Sequence, residues 1–126
     1  MNTAQTTNPA TQASPPAAQA VAPDSVIGWP SLKSERIQLA LRELPGWEMA
    51  ADERSIRLWV RYSDPAMALS FAQFAFTVGR RLAHFPELRL IGGSLEIVAW
   101  TPESNGVTEQ DLGIARMLTP AYEKPS

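Results

Sequence analysis

The chain has no cysteine and a single histidine, His84. Without thiols there is no disulfide framework and no thiolate metal site. With only one imidazole, a zinc site of ordinary type is not expected either. The lack of cysteine fits a reducing compartment. Charge of either sign is scarce in excess: 11 Lys+Arg stand against 13 Asp+Glu, for a net charge of −2. A nucleic-acid footprint would need a basic surplus that is missing here. No apolar run approaches the roughly 20 residues of a membrane span. No basic residue precedes Lys33 and no continuous apolar stretch follows the start, so a secretory signal is not expected. These absences point to a cytoplasmic protein with no metal, cofactor, nucleic acid or membrane to bind.

What is present changes character near residue 30. The opening MNTAQTTNPATQASPPAAQAVAP is built of Ala, Thr, Gln and Pro, with no charge and no aromatic. Such a composition cannot bury enough apolar surface to offset its ordering entropy, so residues 1–30 are expected to be a disordered arm, either a plain tail or a tether. Residues 123–126 are expected to fray. The remaining 31–122 make one small domain. A unit of this size buries only about 60–70% of its unfolded surface and gains from oligomerising.

Within that domain the patterning alternates. A first helix is expected over 35–44, capped by Ser34 and striped by Ile37, Leu41 and Leu44, then stopped by Pro45-Gly46. WEMA reads as a short strand and SIRLWVRY as a second one. Ile56, Leu58, Val60 and Tyr62 point one way there, Arg57, Trp59 and Arg61 the other. The main helix is expected from Asp64 or Ser63, with Pro65 in its first turn, to about Phe85. Phe71, Phe74, Ala75, Val78 and Leu82 form its expected buried stripe, and Phe76 suggests a second buried face. Gly79 marks a close crossing, and Arg80 and Arg81 complement the helix dipole. ELRLIGGSLEIVAW reads as a hairpin turning at Gly92-Gly93. Leu95, Ile97 and Ala99 face one side of it and Glu96, Val98 and Trp100 the other. After the TPESNG loop a last helix starts, with Thr108 as cap, Asp111 reaching back, and Val107 stapling against Leu112. The order is helix, two strands, helix, two strands, helix. That is an α+β fold, a four-stranded antiparallel sheet with three helices on one face.

Three words in this pattern carry a resemblance: LPGW (44–47), HFP (84–86) and GVTEQD (106–111). Together, and in these positions, they resemble the pterin-4a-carbinolamine dehydratase family over about 32–120. The resemblance implies a dimer whose two sheets join into a concave saddle, with further pairing through the long helix. It also implies chemistry: elimination of water from a hydroxylated tetrahydropterin. One group takes a proton from a ring nitrogen and another protonates the leaving hydroxyl, tasks that suit histidine. The family's motif has a His-His-Pro word, a tyrosine in the next strand region, a third histidine near the end of the last strand, and an aspartate in the third word. The first histidine falls on His84 and the second on Phe85, which transfers no proton. An acidic residue one turn earlier falls on Arg80, the tyrosine on Gly92, and the third histidine on Pro102, or on Trp100 with a shifted gap. Asp111 matches the aspartate. His84, Phe85 and Asp111 are therefore read as vestigial pterin-site positions with no catalytic role; Glu87 or Asp111 is the partner His84 would need to act alone.

The open sheet face is then expected to carry Arg57, Trp59, Arg61, Arg89 and Trp100, residue types that anchor protein interfaces. Phe85 and Trp100, replacing polar groups around the old cleft, would suit a protein surface better than a pterin. Within the family, the chain looks like a degenerate branch, the pterin dehydratase-like assembly factors of ribulose-bisphosphate carboxylase (Rubisco) from bacterial α-carboxysome operons. It shares their lost histidine pair, their third word and an Ala/Pro/Gln-rich arm. This resemblance implies a dimeric, chaperone-like partner of Rubisco, with the large subunit as its expected contact, in the bacterial cytoplasm or at the carboxysome. The family's other roles, dehydratase and dimerisation cofactor of a transcription factor, are the alternatives.

Overall fold

A computed structural model describes residues 28–123, and the arm expected over 1–30 lies outside them except for its last three positions. The elements are α1 (Ser34–Leu41), β1 (Trp47–Met49), β2 (Ile56–Arg61), α2 (Pro65–Leu82), β3 (Glu87–Ile91), β4 (Ser94–Ala99) and α3 (Glu109–Glu123), with a 3₁₀ turn at Pro102–Ser104 between β4 and α3. The strands form one antiparallel sheet in the order β1-β2-β4-β3. Strands β2 and β4 pair centrally, Leu58 opposite Ile97 and Val60 opposite Leu95. Because side chains alternate along a strand, this register puts Ile56, Leu58, Val60, Leu95, Ile97 and Ala99 on one face, all buried. The helices cover that face. Ile37 of α1, Phe71, Ala75 and Val78 of α2, and Leu112, Ile114, Ala115 and Leu118 of α3 complete the core.

The helix ends follow local chemistry. Asp64, not Ser63, caps α2, its carboxylate accepting from the Ala66 N–H at 3.0 Å. Helix α1 differs from expectation. Ser34 lies inside it, Lys33 is the cap without a side-chain bond, and the helix stops at Leu41. Leu44 is still buried, carried in by a turn rather than by the helix. Two aromatic expectations on α2 fail. The buried stripe runs Ala68, Phe71, Ala75, Val78 and Gly79, a narrow track, so Phe74, one residue off it, is exposed and tilts against Phe71. Phe76 is also exposed and stacks on Phe85 with ring centroids 5.0 Å apart, so it buries no second face within this chain.

In the β3–β4 turn only Gly92 takes positive φ (58°). Gly93 is needed for space instead: a Cβ there would lie 2.1 Å from the Tyr62 carbonyl oxygen. Tyr62, expected to continue the inward row of β2, sits just past that strand and is half-buried, its N–H bonded to the Gly93 carbonyl at 2.8 Å. No helix among the described residues is long and apolar enough to cross a membrane.

Candidate functional site

His84 is placed by the way α2 ends. Ala83 adopts the left-handed conformation (φ 55°), the Ala83 N–H bonds the Arg80 carbonyl at 3.3 Å, and the His84 N–H bonds the Gly79 carbonyl at 2.9 Å. This pair of bonds is the Schellman closure of a helix. Gly79 makes the tight return possible, because a Cβ there would come within 2.7 Å of the Phe85 ring and 3.2 Å of the His84 carbonyl oxygen. The buried Pro86 then starts the chain into β3.

The His84 side chain meets the start of α3. Its Nε2–H donates to Asp111 Oδ1 at 2.6 Å, and the Asp111 side chain is fully buried. The other carboxylate oxygen, Oδ2, accepts from the Thr108 backbone N–H and from the Thr101 hydroxyl, each at 2.8 Å. With Thr101 donating there, the Thr108 hydroxyl donates to Thr101 at 2.8 Å and accepts from the Gln110 N–H at 3.2 Å. Asp111 thus closes the expected capping box and orients the imidazole at once. A carboxylate in this position fixes the tautomer with the proton on Nε2. The remaining nitrogen, Nδ1, is left as the acceptor of the neutral ring.

A cavity of about 200 Å³ adjoins this corner, lined by Gly28, Trp29, Ala83, His84, Thr101, Glu103, Ser104 and Gln110. Phe85 is not among its walls. It is exposed and turned onto Phe76, so His84 and Phe85 do not share a pocket mouth as expected. Pro102 directly follows Thr101, which comes within 3.4 Å of His84 Nε2, and it opens the exposed 3₁₀ turn. Trp100 points elsewhere: its indole N–H donates to Glu87 at 2.7 Å, and both line a separate cavity of about 290 Å³ with Arg54, Val98 and Asn105. Glu87 is therefore not the partner of His84; Asp111 is. Gly92 sits at the hairpin tip, and Arg80 is exposed on the last turn of α2. The sequence reading missed Glu103, the one acidic side chain on the cavity wall. It also missed Trp29, since nothing local links residue 29 to residue 84.

Comparison with known proteins identifies the family. The family model for pterin 4 alpha carbinolamine dehydratase matches residues 30–120. The chain belongs to that family. A Paracoccus denitrificans protein named "Putative pterin-4-alpha-carbinolamine dehydratase" is 34% identical over 97 residues, covering 76% of this chain and 90% of the relative. A Rubrobacter xylanophilus protein of the same name is 33% identical over 88 residues, covering 70% and 81%. The crystal structure of a transcriptional coactivator/pterin dehydratase from Brucella melitensis superposes with a TM-score of 0.69 at 27% identity, covering 73% of this chain and 98% of that one.

On the far side of this pterin dehydratase-like fold, the open sheet face holds the other candidate residues. Glu96, expected there as a solvent-facing side chain, is buried. Arg89 bonds its Oε1 at 2.7 and 3.1 Å, and Arg57 approaches its Oε2 at 3.5 Å. The register explains this: Glu96 lies opposite both Trp59 on β2 and Arg89 on β3, with Arg57 two residues along β2. The two guanidiniums cover the carboxylate. Trp59, Arg61 and Ile91 remain exposed around this ion cluster. Trp100 is half-buried past the end of β4, tied to Glu87. Arg57, Trp59 and Arg89 thus form one contiguous cluster around Glu96, and Trp100 stands apart from it.

Proposed function

We propose that this chain is a non-catalytic assembly factor that acts as a homodimer on ribulose-bisphosphate carboxylase in the cytoplasm of carboxysome-forming bacteria. The observation carrying the reading is the isolation of His84. Its Nε2–H is committed to Asp111, the next residue is Phe85 turned out onto Phe76, and the chain has no second histidine to bring in. Elimination of water needs a base and an acid placed on two atoms of the substrate; the cavity wall offers one imidazole and, as its one acidic side chain, the solvent-exposed Glu103. The Trp59/Arg57/Arg89 cluster supplies what a protein contact needs instead, an exposed aromatic set among guanidiniums. The choice of Rubisco rests on the resemblance in the lost histidine pair, the third sequence word and the arm.

Co-expression tests it. Rubisco large and small subunits made with this chain should yield several-fold more assembled holoenzyme than without it. The Trp59→Ala, Arg61→Glu double variant should remove most of that gain, since an anchor aromatic typically carries about 2 kcal/mol or more of binding. Equal holoenzyme with and without the chain would sink the proposal.

A second reading is dehydration of a pterin carbinolamine, and the His84–Asp111 bond favours it, together with the names of the relatives. In that case His84 Nδ1 takes the ring-nitrogen proton, Asp111 supports the imidazolium, and Glu103 is the acid for the leaving hydroxyl.

A further inference from the structure

We infer that residues Gly28–Ser31 form a strap that closes the mouth of the His84 cavity and can lift away from it. Gly28 and Trp29 line the cavity together with His84, Thr101 and Gln110. The His84 side chain is only 10% exposed as a result of everything packed around it. The strap is tied at its end: the Leu32 N–H bonds the Val107 carbonyl at 2.7 Å, and Leu32 packs on the core. Just before that hinge, Ser31 rests on Gly106, where a Cβ would lie 3.3 Å from the Ser31 Cβ. Further out, the Ser104 hydroxyl donates to the Trp29 carbonyl.

The asymmetry of these anchors is what makes the strap movable. Residues 28–31 are all exposed, and Trp29 keeps 47% of its surface in water. Among the described residues no backbone–backbone hydrogen bond is made by 28–31, a feature of segments at the low end of local opening free energy. Pro30 has no N–H to add another bond. Leu32 stays fixed, so opening needs rotation only at Ser31 and Pro30. The strap directly follows residues 1–27 in the chain, so anything that grips them would pull on it. The inference concerns access to His84 and does not depend on which function the site serves.

The single histidine makes access measurable. Diethyl pyrocarbonate carbethoxylates imidazole, and here the absorbance of the product reports one side chain. In the full chain the reaction should be slow. Deleting residues 2–30, which keeps Ser31 and the Leu32 hinge, should speed it by at least the factor of about five that one lost hydrogen bond allows. Ser104→Ala should speed it by a similar or smaller factor. Melting curves are recorded alongside, and if the deletion variant melts well below the full chain, Ser104→Ala decides the matter in its place. A faster rate at unchanged melting temperature supports the strap; an unchanged rate overturns it.

Discussion

Replacing Asp111 by alanine should lower the melting temperature by roughly 15 °C or more, the cost of about 3–4 kcal/mol in a domain this small. The reason is what the fully buried carboxylate holds. The Thr108 N–H, the Thr101 hydroxyl and the His84 Nε2–H all end on it. Removing the acceptor leaves three buried donors and loosens three segments together: the end of α2, the end of β4 and the start of α3. Asp111→Asn should cost about half as much, since one carbonyl oxygen remains to accept. His84→Ala removes one donor and keeps the capping box, so it should cost about 1–2 kcal/mol. Thermal melts of the three variants give the ranking. A loss in Asp111→Ala no larger than in His84→Ala would mean that the network does not hold the fold.

Trp47→Ala should destabilise by a similar amount, about 3–5 kcal/mol, because a buried indole is removed from the middle of the core. Trp47 enters from β1, and its ring N–H bonds the Thr119 hydroxyl at 3.1 Å, tying the first strand to the last helix. The turn before it is equally constrained. Gly46 has φ 88°, and a Cβ there would come 2.8 Å from Leu58 Cδ1. Trp47→Phe should lose less, about 1–2 kcal/mol, since most of the ring volume stays and only the bond to Thr119 goes. Urea unfolding followed by circular dichroism measures both. If Trp47→Ala unfolds within about 1 kcal/mol of the parent, the ring is not the core residue its burial implies.

Both positions lie in words that resemble the family's. LPGW and GVTEQD are structural: the first seats an indole on Thr119, the second caps α3 and buries a carboxylate. His-Phe-Pro keeps the residues that turn α2 into β3. Each word has a packing or backbone-closing role in this structure.

The same distinction shows what could be read from the chain and what could not. The alternation over 56–61 and 95–99 was legible because one face of an antiparallel sheet is buried and period 2 writes that directly into sequence. The α3 cap was legible because Thr108 and Asp111 are three residues apart. The His84–Asp111 bond spans 27 positions, and it follows only from the left-handed Ala83 and the path through β3 and β4. Glu96 looked like a surface charge, since its burial depends on the Arg57 and Arg89 that the register brings over it. Phe74 and Phe76 were misjudged because the stripe on α2 is narrow and aromatic residues beside it were counted as core. Trp29 stood in a stretch read by composition, and composition says nothing of where a chain end lies.

The most direct measurement is dehydration of a 4a-hydroxytetrahydropterin by the purified full chain and by His84→Ala. If the cavity with its lone imidazole does not carry out the elimination, the two rates are equal and match the uncatalysed reaction. Clear turnover by the full chain that disappears in His84→Ala would contradict the non-catalytic reading and make His84, held by Asp111, the base of a working dehydratase.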